Sequence, residues 1–124
     1  MDEWVLVDTS VWVEHLRRTH SRLVGLLDEG RVLLHPFIIG ELACGKLENR
    51  AEILSLLRAV PSAGVAGHDE IIAFIENNRL MGKGLGYVDV HLLASAMLSD
   101  VHLWTQDKPL ARAATEIGIG LVPS

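Results

Sequence analysis

Trp4-Val-Leu-Val-Asp-Thr-Ser-Val-Trp12 is the stretch on which the fold turns. Trp4 to Val7 is an unbroken aromatic and aliphatic run, the pattern of a strand buried on both faces. Asp8 ends the run, and small hydroxyl residues lead into a helical pattern. Open parallel sheets build their ligand crevices at such a carboxyl end of a first strand.

Working outward, Val11, Trp12, His15 and Leu16 share one helical face, with Glu14, Arg17 and Arg18 left for water. Ser21 to Glu29 repeats the pattern and Gly30 is placed to cap it. Val32 to Leu34 reads as a strand that passes into a helix at Pro36, since proline suits a first helical position. That helix is expected to run to about Leu47, and another to follow Asn49. The 61–67 stretch, rich in glycine and alanine, can hold only a weak strand around Val65. Helices are expected from His68 or Asp69 to about Leu80 and from Tyr87 to Leu98. Gly82, Gly84 and Gly86 form a turn between them. Val101 to Trp104 reads as a strand, Pro109 opens a helix to about Glu116, and Ile119 to Val122 closes the chain as a short strand. Strands alternating with helices predict an α/β fold, a parallel sheet covered by helices in three α/β/α layers. Residues 1–124 form a single domain, without repeat or linker.

Composition agrees. Hydrophobic residues make up 49% of the chain and aromatics only 5%, so aliphatic side chains must build the core. One cysteine, Cys44, excludes an internal disulfide; it reads as a small core residue. With no basic leader before an apolar run and no apolar stretch near the roughly 18 residues that span a bilayer, a cytoplasmic protein without a membrane anchor is expected. The net charge of −5 argues at first against nucleic acid. Setting four acids aside for a metal leaves twelve against eleven Lys and Arg, so the balance does not exclude a polyanion.

Two carboxylates stand out of place. Glu41 lies on the same helical stripe as Phe37, Ile38, Cys44 and Gly45, and Asp89 on that of Leu92, Leu93 and Ala96. Buried Asp and Glu need a partner or a metal. Asp8 and Asp107 both follow strands whose ends share one edge of a parallel sheet, so the four acids can converge. Like charges about 5 Å apart repel by roughly 3 kcal/mol per pair at an effective dielectric near 20, so such a cluster calls for a cation. Hard oxygen ligands, with six histidines at no matching spacing, select Mg²⁺ or Mn²⁺ over zinc. A carboxylate-held Mg²⁺ binds phosphate oxygens and activates water, which predicts phosphoryl transfer to water. Structural roles compete: Asp8 and Asp107 as helix N-caps, and His91 as a packing residue. Lys46, Lys83, Lys108 and Arg112 lie near the acids in sequence and could steer phosphate or simply be solvated.

The motifs Val-Asp-Thr-Ser at 7–10, Glu-Leu at 41–42, Gly-Tyr-Val-Asp-Val-His-Leu-Leu-Ala-Ser-Ala at 86–96 and Leu-Trp-Thr-Gln-Asp at 103–107 make the chain resemble PIN-domain proteins of the VapC type, the toxin ribonucleases of toxin–antitoxin pairs. The resemblance covers Val5 to Val122. It implies a Rossmann-like sheet of four to five parallel strands. It also implies that Asp8, Glu41, Asp89 and Asp107 are the catalytic acids around one or two Mg²⁺ or Mn²⁺ ions, with Ser10 and Thr105 as polar helpers. An RNA substrate, a homodimer and an antitoxin whose tail blocks the site follow from the same likeness. Leu110 departs from it, since many relatives carry Phe there. Helices from Pro36 to Leu57 hold more apolar residues than one face needs, as a groove for a partner helix would. On the residues alone, a Mg-binding phosphoacceptor receiver domain is the rival. It would need a paired acid beside Asp8, where Thr9 stands, and an acceptor Asp where the middle strand ends in His35-Pro36.

Overall fold

The computed structural model describes residues 3–121. Its elements, in order, are β1 (Val5–Val7), α1 (Thr9–Arg17), α2 (Ser21–Asp28), β2 (Val32–Leu33), α3 (Pro36–Cys44), α4 (Arg50–Ala59), α5 (His68–Asn78), α6 (Tyr87–Leu98), β3 (His102–Trp104) and α7 (Lys108–Glu116). The strands form one parallel sheet in the order β2-β1-β3, with Val5 opposite Val32 on one side and His102 on the other.

β1 is the centre of this sheet. Its three residues point alternately to the two faces, yet none is more than 1% exposed, so both faces are covered. The chain places β2 on one side of β1 and β3 on the other, which makes the carboxyl end of β1 a topological switch point. Trp12 fastens α1 across that end by donating from Nε1 to the Val7 carbonyl at 3.1 Å. Leu92, Leu93 and Ala96 of α6, all fully buried, close the core, and Leu110 of α7 is equally buried.

The sheet has three strands among the described residues, fewer than the four or five expected. Single parallel bridges, Leu34 to Ser62 and Leu103 to Gly120, mark where a fourth and a fifth would lie. The first falls at Ser62, upstream of the Val65 expected to centre a weak strand, in a stretch punctuated by Pro61 and Gly64. At the second, Gly120 packs so close that a Cβ would stand 2.7 Å from Thr115 Oγ1 and 3.1 Å from Thr115 backbone atoms. The rest of the expected Ile119–Val122 strand reaches Val122, which lies outside the described residues. Helix α3 stops at Cys44, short of Leu47, because Gly45 turns extended while its N–H still reaches the Leu42 carbonyl. This early end leaves Cys44 exposed, where a core position was expected.

Candidate metal centre

Asp8 stands at the N-cap position of α1, with φ −70° and ψ 157°, but its side chain caps nothing. Instead its Oδ2 accepts from Ser10 Oγ at 3.0 Å and from Thr105 Oγ1 at 2.7 Å, and the residue is only 7% exposed. The N-cap alternative therefore accounts for the backbone of Asp8 and not for its carboxylate.

The same hydroxyls bind the β3–α7 turn to the β1–α1 turn. Ser10 Oγ accepts the Gln106 N–H at 3.0 Å, and Thr105 Oγ1 accepts that of Asp107 at 3.0 Å. Asp107 does cap its helix, Oδ2 taking the Leu110 N–H at 3.0 Å. Its residue is exposed at the mouth of the crevice.

Asp89 is half-buried, and its Oδ2 accepts the Gly86 N–H at 2.9 Å, closing the first turn of α6. A capping role, which its place on an apolar stripe argued against, is thus part of its work. Burial raises its pKa from the ordinary value, and the nearby charges of Asp107 and Asp8 raise it further against the Gly86 hydrogen bond. Three acids far apart in sequence therefore share one field.

Glu41 is exposed, contrary to the buried setting expected for it. Helix α3 is apolar nearly all round, so the stripe identified in the sequence did not mark its inner face. Thr9 Oγ1 donates to Glu41 Oε1 at 2.7 Å and ties this acid to the residue beside Asp8. Thr9 is the site residue that sequence reasoning missed, and the hydroxyl following Asp8 was the available signal for it.

A common pattern joins the four acids: one oxygen of each is held by the protein, while the other accepts no bond among the described residues. The ion pairs among those residues are Arg31–Glu29, Lys83–Glu116 and His102–Glu3, none at the four acids. Hard, oriented oxygens without a counter-charge suit a hard divalent cation in kind. No three His, Cys, Asp or Glu side chains among the described residues stand close enough together to enclose an ion.

Behind this site lies an imidazole and aromatic cluster. His35 is fully buried; its Nδ1 accepts the Phe37 N–H at 3.0 Å, capping α3, and burial beside His91 lowers its pKa to about 4. His91, 3% exposed, packs edge-on to Phe37 and Tyr87, the packing role anticipated for it.

Residues 5–116 match the PIN domain family. Over 118 residues, 94% of this chain and 95% of the relative, the chain is 45% identical to Ribonuclease VapC32 of Mycobacterium tuberculosis, in strains CDC 1551 / Oshkosh and ATCC 25618 / H37Rv alike. Among solved structures, PAE2754 from Pyrobaculum aerophilum superposes with a TM-score of 0.67 at 16% identity, covering 98% of this chain and 90% of that one. FitAcB from Neisseria gonorrhoeae gives 0.59 at 21% identity, covering 90% and 94%. At such identities these two likenesses speak to fold alone.

Proposed function

The chain belongs to the PIN domain family and is of its VapC type, and from that premise we propose that it is a metal-dependent endoribonuclease, the toxin of a toxin–antitoxin pair. The observation that carries the proposal is its 45% identity, along 94% of its length, to a protein named a ribonuclease. The repulsion that Asp107 and Asp8 exert on Asp89 supports it.

Asp8 and Asp89 are the proposed direct ligands of Mg²⁺ or Mn²⁺. Glu41 and Asp107 either hold a second ion or orient the attacking water. Such an ion supplies Lewis acidity, drawing charge from a phosphate oxygen and making water a better nucleophile near neutral pH. Ser10 and Thr105, both donating to Asp8 Oδ2, fix the orientation of that carboxylate and leave Oδ1 for the ion. Thr9 orients Glu41 through Oε1, leaving Oε2 to accept a hydrogen bond from the incoming water. Asp107 is pinned through Oδ2 to α7, which leaves its Oδ1 for the ion or the water.

The proposed partners are RNA, a cognate antitoxin and a second copy of the chain. No helix among the described residues is long and apolar enough to cross a membrane, and the proposed site of action is the cytoplasm. The receiver-domain rival gains no support, because Thr9 bonds Glu41 and the β2–α3 junction, where an acceptor Asp should stand, holds the buried Leu34 and His35. The test is incubation of the purified chain with single-stranded RNA in Mg²⁺ or EDTA, with mapping of new ends. Cleavage that requires the metal and is lost in Asp8→Asn is expected. Equal cleavage by Asp8→Asn would count against the site.

A further inference from the structure

Among the cations that lie near the acids in sequence, Lys108 and Arg112 share one exposed helix face. Helix α7 buries Leu110, Ala113 and Ala114 and leaves Lys108, Arg112, Thr115 and Glu116 exposed. Residues four apart on a helix are surface neighbours, so Lys108 and Arg112 stand side by side along it. The face begins where Asp107 caps α7 through Oδ2. It therefore runs outward from the proposed metal centre.

Glu116, the acid of this face, is already matched. Lys83 Nζ donates to its Oε2 at 2.7 Å. That hydrogen bond, the Lys83 charge and the charge of Arg112 hold the Glu116 carboxyl below its ordinary range. Lys83 comes from the glycine turn before α6, in which Gly82 and Gly84 take the left-handed region at φ 73° and 76°. A Cβ on Gly84 would lie 3.7 Å from Pro109 Cβ, so this turn runs in contact with the first turn of α7. Lys108 and Arg112 have no ion pair among the described residues. Beyond Asp107, then, Lys83, Lys108 and Arg112 stand against Glu116 alone, an excess of two positive charges. The face is positive through its own residues, in a chain of net charge −5.

We propose that this face of α7 is the track along which single-stranded RNA leaves the site of cleavage, with Lys108 holding the first phosphate beyond the scissile one and Arg112 the next. Four residues of helix advance about 6 Å, a step that one nucleotide of an extended strand can follow. The inference rests on the ribonuclease reading and adds to it the path of the substrate. RNA is favoured over an acidic protein because the exposed side chains of α7 include no apolar residue, whereas the centre of a protein interface is built on apolar and aromatic side chains. Solvated cations suffice to hold phosphates.

The test compares two double variants, Lys108→Ala/Arg112→Ala and, as a control, Arg17→Ala/Arg58→Ala, which removes exposed cations of α1 and α4. In the Asp8→Asn background at fixed Mg²⁺, binding of a ten-nucleotide single-stranded RNA is measured from low to moderate salt. The slope of log affinity against log salt should fall by about 1.4 in the first variant, roughly 0.7 for each phosphate no longer neutralised, and hold in the control. With Asp8 restored, the preference in kcat/KM for that oligonucleotide over a dinucleotide should fall in the first variant and not in the control. Should the α7 double variant fail to fold, Lys108→Gln and Arg112→Gln should each lower the slope by about 0.7. No RNA binding, an unchanged slope or an equal fall in both double variants would overturn the proposal, and so would loss of a protein partner at an unchanged slope. A reduced slope in a chain that cuts no RNA would uphold the track and refute the ribonuclease reading instead.

Discussion

Thr105 Oγ1 donates to Asp8 Oδ2 at 2.7 Å, joining residues 97 positions apart and locking the end of β3 to the end of β1. The same oxygen takes a second bond from Ser10, and both hydroxyls also receive backbone N–H groups of the β3–α7 turn. Replacing Thr105 by Val keeps the shape and removes this link. Oriented hydrogen bonds to a metal ligand are typically worth 10–100-fold in metal affinity or activity. Thr105→Val should therefore lower metal-dependent cleavage by roughly that factor, with the circular dichroism spectrum unchanged.

Asp89 pays for its position in repulsion from Asp107 and Asp8 as well as in burial. Its raised pKa means that the folded chain holds this proton to higher pH than the unfolded chain does. Its contribution to stability therefore falls as pH rises through the ordinary carboxylate range and beyond. Asp89→Asn keeps an acceptor for the Gly86 N–H and removes the charge. In EDTA it should melt at a higher temperature than the unaltered chain. Added Mg²⁺ should raise the Tm of the unaltered chain and leave that of Asp89→Asn nearly still. Calorimetry in both buffers checks it.

His35 sets an acid limit. Its pKa of about 4 in the folded chain lies below the ordinary 6.5, so the unfolded chain binds this proton more tightly. The stabilisation is whole above pH 6.5 and is lost as pH falls toward 4, by on the order of 3 kcal/mol. Urea midpoints measured from pH 7.5 to 4 should record the decline. His35→Asn keeps an N-cap acceptor for Phe37. It should be less stable at neutral pH, through the cavity it leaves, but flatter across this range.

Gly120 admits no side chain. A Cβ there would meet Thr115 Oγ1 at 2.7 Å and the Thr115 backbone at 3.1 Å, and backbone of α7 cannot step aside cheaply. Gly120→Ala should cost about 1–3 kcal/mol, read as a lower urea midpoint with an unchanged slope.

Much of this architecture was legible in the residues. The bounds of α6 could be read at Tyr87 and Leu98, and Pro36 and Pro109 marked the starts of α3 and α7 to within a residue. Asp8, with a strand before it and Thr-Ser after it, announced the crevice. The edges of the sheet were less legible. Ser62 and Gly120 pair through the backbone alone, and neither carries a side chain typical of strands. Glu41 was misplaced because α3 is apolar on nearly every side, so a stripe in its sequence does not reveal which side faces in. His35 went unnoticed as a cap because histidine rarely serves as one; only its place immediately before a helix-opening proline hinted at it. Convergence across the chain, such as Thr9 with Glu41, follows from tertiary packing that no local pattern encodes.

The central claim is that Asp8, Glu41, Asp89 and Asp107 gather around a divalent cation. Crystals grown with Mn²⁺ and measured at the manganese absorption edge test it most directly. The account predicts an anomalous peak at the carboxyl end of β1, with oxygens of Asp8 and Asp89 at roughly 2.0–2.2 Å, near the distances of hard six-coordinate ions. A peak held by other residues, or none at saturating Mn²⁺, would contradict it.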